Sequence, residues 1–147
     1  LAEAKQKGVS VHLPIDSCIT QEFSNDSPTK ITAINAIPET WMGLDAGPET
    51  QALFADVISQ SKTILFNGPV GVFELPTFAK GTISICEAIA KATERGAFSL
   101  VGGGDSVSSV KQFHFQDKVS YVSTGGGAML EMLEGKTLPG IAAILAE

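Results

Sequence analysis

The sequence predicts an α/β fold: a parallel sheet with helices on both faces, stacked in three α/β/α layers. Three observations lead there. Short continuous apolar stretches, Thr63–Phe66 and Ala97–Val101, read as strands buried in a parallel sheet. A glycine-rich break and a segment of one-face helical spacing follow each of them. Glycine triplets directly follow apolar stretches twice, in SLVGGGDSV (Ser99–Val107) and VSTGGGAML (Val122–Leu130).

The elements follow in chain order. Leu1–Lys7 reads as the end of a helix stopped by Gly8, so the first residue looks like a cut rather than a natural start. Val9–Pro14 alternates apolar and small polar residues and predicts a strand. Ile15–Thr29 is polar and turn-rich, and Lys30–Pro38 predicts another short strand. A helix follows, with Asp45 as a candidate starting residue, Pro48 near its first turn and Leu53, Phe54, Val57 and Ile58 on one face. The strand Thr63–Phe66 breaks at Asn67-Gly68-Pro69. Pro76–Arg95 predicts a helix with Phe78, Thr82, Ile85, Cys86, Ile89 and Ala90 along one stripe and Gly96 as its stop. Strand Ala97–Val101 enters Gly102–Gly104 and a helix near Asp105–Gln112. Strand Lys118–Val122 enters Gly125–Gly127 and a helix near Ala128–Leu133. A short helix ends the chain.

In such a sheet, ligands sit beyond the carboxyl ends of the strands. Asn67, Gly102–Asp105 and Gly125–Gly127 are expected to gather there. A helix start offers unpaired N–H groups and the positive end of the helix dipole, and glycine lets an anion approach that backbone closely. Two such starts facing one crevice suit a polyphosphate. Each run alone is equally well explained as a tight strand-to-helix turn. Asp105 reads as a Mg²⁺ ligand beside phosphate or as a helix N-cap, and Ser106 as a phosphate contact or a plain helix-start serine. The residues leave these alternatives open.

Other features exclude functions. The chain has 147 residues, 44% of them hydrophobic and 18% charged, enough for one domain with a proper core. The formal net charge of −6 argues against a nucleic-acid surface. No apolar run reaches the roughly 18 residues of a membrane span. Cys18 and Cys86 have no metal-ligand spacing and read as reduced thiols. The G-x-G-x-x-G pattern fails at Val107 in one run and Leu130 in the other, which disfavours a dinucleotide oxidoreductase. EGKT (Glu134–Thr137) lacks the earlier glycine of a P-loop. His12 and His114 read as structural or surface residues, and Trp41 and Met42 as buried apolar mass. Asn25-Asp26-Ser27 matches a glycosylation acceptor by chance.

Five motifs together resemble the phosphoglycerate kinase family: LPID (Leu13–Asp16), WMGLDAGPET (Trp41–Thr50), FNGPVGVFE (Phe66–Glu74), GGGDS (Gly102–Ser106) and STGGGAMLEMLEGKTLPG (Ser123–Gly140). The resemblance implies two Rossmann-like domains. This chain would be the later part of the nucleotide domain, with a final helix (about 138–147) returning to the other domain. The implied reaction moves a phosphoryl group between 1,3-bisphosphoglycerate and ADP, giving 3-phosphoglycerate and ATP, with Mg²⁺, in a cytoplasmic monomer. By matching position, Gly43 and Leu44 line the adenine pocket, Asn67 approaches the phosphates, Pro69 walls the base and ribose, and Glu74 accepts the ribose hydroxyls. Gly103, Gly104, Asp105 and Ser106 hold the phosphates, with Asp105 on the metal. Gly103, Gly104, Gly125 and Gly126 face the transferring group. Ser106 stands where Thr is common, and Phe66 where Trp is common. The family's sugar-phosphate domain, which would bind phosphoglycerate, has no counterpart here, so the isolated chain is expected to be inactive. The alternative is a non-catalytic Rossmann-like module binding a nucleotide or anion.

Overall fold

The computed structural model describes residues 1–145. Helix α1 (Ala2–Gln6) opens the chain and gives way at Lys7 and Gly8. The strand expected at Val9–Pro14 is absent: these residues are exposed and join no sheet among the described residues. The first strand is instead β1 (Asp16–Thr20), inside the stretch expected to be turns. It is the centre of an antiparallel sheet, flanked by β2 (Thr29–Ala33) and β3 (Met42–Ala46). The expected strand Lys30–Pro38 ends at Ala33, where a single 3₁₀ turn, Ile34–Ala36, takes over.

The polarity of β1 hid it. Asp16, Ser17 and Thr20 are buried, and each spends its side chain on a hydrogen bond. Burial without apolarity leaves no alternating pattern to read. The Thr20 hydroxyl meets that of Ser27 at 2.6 Å, and the Ser17 hydroxyl donates to the Asp45 carbonyl at 2.9 Å.

Helix α2 (Pro48–Gln60) begins with Pro48 in its first turn, as expected. Asp45 does not start it, because Asp45 lies inside β3. The capping carboxylate comes from Asp16, distant in sequence. It accepts the Glu49 N–H at 3.0 Å, the Thr50 N–H at 2.7 Å and the Thr50 hydroxyl at 2.6 Å. These are the amides that an N-cap aspartate normally satisfies.

The second sheet is parallel, in the order β4 (Thr63–Phe66), β5 (Phe98–Val101), β6 (Tyr121–Val122). Between β4 and β5 runs α3 (Lys80–Glu94), preceded by a single 3₁₀ turn at Pro76–Phe78, so the expected helix Pro76–Arg95 starts later than its pattern suggested. Helix α4 (Gly104–Gln112) joins β5 to β6. Strand β6 is shorter than expected because a 3₁₀ turn occupies Gln116–Lys118. Just before β6, side chains replace ladder bonds: the Ser99 N–H donates to the Ser120 hydroxyl at 3.0 Å, and the Ser120 N–H to the Ser99 hydroxyl at 2.9 Å. Helices α5 (Gly126–Leu133) and α6 (Pro139–Leu145) complete the description. The last two residues of the expected final helix, Ala146 and Glu147, lie outside the described residues.

The fold is therefore α/β, with helices packed on a parallel three-stranded sheet. Strands β4, β5 and β6 step across the sheet in one direction. Right-handed connections then bring α3 and α4 to the same face. Ile85, Cys86, Ile89 and Ala92 of α3 and Val110 of α4 form one core with Ile64, Phe66 and Val101 of the sheet. Each buried Ile, Val or Phe contributes about 1.5–3 kcal/mol. The other face carries Leu65, Phe98 and Tyr121, all exposed. Burial pushes the Cys86 thiol up to about 11, with the Glu87 charge adding to it.

Candidate nucleotide site

Strands β4, β5 and β6 run in parallel, so their carboxyl ends share one edge. Asn67 follows β4, Gly102 follows β5, and Gly125 lies three residues past β6. The sheet itself holds two of these exits: the Gly102 N–H donates to the Phe66 carbonyl at 3.0 Å, and the Ser123 N–H to the Val101 carbonyl at 2.8 Å.

The two glycine runs touch. A Cβ on Gly126 would collide with the backbone of Gly103, and a Cβ on Gly102 with the side chain of Met129. Gly103 has φ +89°, a conformation that favours glycine, and a Cβ there would strike the Asn67 side-chain oxygen. Backbone therefore packs against backbone where α4 and α5 begin, with the Asn67 amide laid over Gly103.

Neither helix carries a side-chain cap. Along α4, the Val107 N–H is the first to reach back, to the Gly103 carbonyl at 3.0 Å. In α5 it is the Met129 N–H, to the Gly125 carbonyl at 2.9 Å. The amides before these have no intrahelical acceptor. Asp105 is not an N-cap; Gly103 occupies that position, and Asp105 is exposed in the first turn. Ser106 is buried, and its hydroxyl accepts the Gly68 N–H at 2.6 Å. That bond ties the start of α4 to the loop after β4.

The same loop forms one wall of an open cleft of about 510 Å³. Pro69, Val70, Gly71 and Val72 face Gly43 and Leu44 of β3 across it. The Val72 N–H donates to the Leu44 carbonyl at 2.9 Å, joining the walls at their base. Gly43 is exposed and flat, and a Cβ there would crowd the Ser17 hydroxyl at 2.7 Å. Gly43, Leu44 and Pro69 are thus brought together on one side, and Asn67, Gly103, Gly104, Ser106, Gly125 and Gly126 on the other. Glu74 is exposed, two residues past Val72, and outside the lining of the cleft.

Val72 carries no signal in the sequence, and Asp45, which reads there as a helix start, instead accepts the Ala46 and Gly81 N–H groups. Val72 looks like any loop valine, and its carbonyl partner is visible only in three dimensions. Trp41 is half-buried, with the Lys30 ammonium 4.0 Å above its ring, whereas Met42 is 38% exposed rather than buried. His12 and His114 are exposed.

Two buried carboxylates support the cleft from β1 and β3. Burial raises the pKa of Asp16, but the Thr50 hydroxyl and the Thr50 and Glu49 amides outweigh it, and the net direction is down. Asp45 is moved up by burial, against the amides of Gly81, Ala46 and Lys80 and the Lys80 charge. No group of three or more acidic, His or Cys side chains lies together among the described residues. The exposed Asp105 carboxylate beside the glycine run suits Mg²⁺, which is commonly held by one or two carboxylates together with substrate phosphates. No helix among the described residues is long and apolar enough to cross a membrane.

Known proteins resemble this chain in sequence and fold. The phosphoglycerate kinase family model matches residues 1–136. A phosphoglycerate kinase from Porphyromonas gingivalis is 56% identical over 142 residues, covering 97% of this chain and 34% of the relative. A probable phosphoglycerate kinase from Caenorhabditis elegans is 50% identical, covering 98% of this chain and 35% of its own. The solved phosphoglycerate kinase of Coxiella burnetii superposes with a TM-score of 0.90 at 43% identity, over 96% of this chain and 36% of that one. The chain spans about a third of the length of the curated relatives it matches. By the family match, by identity and by fold, the chain belongs to the phosphoglycerate kinase family.

Proposed function

We propose that this chain supplies the nucleotide and Mg²⁺ side of phosphoryl transfer between 1,3-bisphosphoglycerate and ADP, giving 3-phosphoglycerate and ATP. In this reading, the chain forms the later part of a nucleotide-binding domain, and the last described helix, α6 (Pro139–Leu145), packs on a phosphoglycerate-binding domain. The complete enzyme is a cytoplasmic monomer. The observation that supports the reading is the backbone contact between Gly103 and Gly126, which brings two helix starts without side-chain caps together.

Phosphoryl transfer is mostly positioning and charge stabilisation. Gly43 and Leu44 receive the adenine ring, Pro69 walls the base and ribose, and Glu74 accepts the ribose hydroxyls. Asn67 and the amides of Gly103 and Gly104 orient the phosphates. The Gly125 and Gly126 amides face the equatorial oxygens of the transferring group, where charge develops. A donor so placed contributes about 2.7–4 kcal/mol. Ser106 acts here by bracing Gly68. Asp105 holds Mg²⁺, which neutralises phosphate charge when bound.

Calorimetric titration with MgADP tests the reading. Asp105→Ala is expected to weaken binding by about tenfold, ~1.4 kcal/mol, even at saturating Mg²⁺. Equal affinity would contradict the metal assignment. The 147-residue chain alone is expected to give no turnover, and turnover near that of a complete enzyme would contradict the division of labour.

A further inference from the structure

Asp45 is buried to 5% exposure in β3, yet it takes no part in the chemistry proposed above. Its Oδ1 accepts the Ala46 N–H at 2.8 Å, and its Oδ2 accepts the Gly81 N–H at 2.9 Å, at the start of α3. The carboxylate packs so closely on Gly71 and Gly81 that a Cβ on either residue would collide with it. Gly71 lies in the Pro69–Val72 wall of the cleft, and Leu44, the neighbour of Asp45, receives the Val72 N–H from that wall. One carboxylate therefore joins β3, the start of α3 and the Gly71 turn.

We infer that Asp45 is a positioning residue for the base-side cleft: it fixes the spacing between the Gly43–Leu44 wall and the Pro69–Val72 wall. This rests on the reading of the site as a nucleotide site and deepens it. Asp45 touches no phosphate-side residue named above, so its influence falls on the base and ribose rather than on the polyphosphate. Asparagine would not replace it. With its oxygen kept on the Ala46 N–H, its NH₂ group would face the Gly81 N–H, donor against donor.

The test titrates the wild type and Asp45→Asn with MgADP and, separately, with magnesium tripolyphosphate, which has the anion but no base or ribose. Asp45→Asn is expected to weaken MgADP by about tenfold and to leave tripolyphosphate within about twofold. Equal losses on both probes in a folded variant, or no loss on either, would overturn the inference and leave the site reading intact. A wild type that binds neither probe would overturn both. If circular dichroism shows Asp45→Asn unfolded, Gly71→Ala takes its place, since its methyl would meet both the Asp45 carboxylate and the Phe78 carbonyl and so displace the same wall. The same split is expected, and its absence overturns the inference.

Discussion

The two halves of the site are built from different materials. On the proposed phosphate side, the surface is bare backbone: Gly103 against Gly126, beneath Asn67. On the base side, side chains make the walls, and two buried aspartates from an antiparallel sheet hold them. A backbone site fails when any side chain is added. A side-chain site fails when its supports are removed. The difference predicts which substitutions matter on each side and how far their effects spread.

The largest effect is expected from adding one methyl group on the phosphate side. In Gly126→Ala the new Cβ would meet the Gly103 backbone, so the two runs must part. Overpacking of this kind costs about 1–3 kcal/mol of stability. The separated amides should lower tripolyphosphate affinity by about thirtyfold, or ~2 kcal/mol. Titration on the folded variant checks this. An unchanged affinity would show that the contact is only a packing feature.

On the base side, smaller effects should appear in stability and in its pH dependence. Asp16→Asn turns one accepting oxygen into an NH₂ that faces a donor, the Glu49 N–H when the remaining oxygen stays on Thr50, and should cost about 1–2 kcal/mol near neutral pH. The sign follows from the lowered pKa. Asp16 stabilises fully above its ordinary value of 3.8, and that contribution disappears as the pH falls through its folded value. Asp45 works in reverse. Its raised pKa gives a contribution present below 3.8 and lost as the pH rises through the folded value. Urea denaturation across about pH 3–7 should show a weaker acid loss in Asp16→Asn and a weaker loss on raising the pH in Asp45→Asn. Identical profiles in both variants would erase the distinction between the two carboxylates.

The same contrast explains what the sequence disclosed. The parallel sheet was legible because TILF and FSLV are short, mostly apolar runs, each followed by a glycine-containing turn. The glycine runs were legible as runs, but each alone reads equally well as a strand-to-helix turn, and only the fold shows that they meet. The antiparallel sheet was not legible. β1 reads DSCIT and β3 reads MGLDA, with buried polar residues satisfied by partners far along the chain, such as Asp16 by Thr50 and Asp45 by Gly81. Local periodicity carries no trace of such partners. By position alone Asp45 reads as a helix start. The cap of α2 in fact comes from Asp16, while Asp45 serves α3. Val9–Pro14 misled in the opposite way: it has the alternation of a strand without a neighbour to pair with.

The most direct measurement follows backbone amide resonances during a magnesium tripolyphosphate titration. One anion clasped by both glycine runs requires the Gly103 and Gly104 amides and the Gly125 and Gly126 amides to shift together, along one binding curve with one stoichiometric site. Movement of only one run, or two curves with separate affinities, would contradict it.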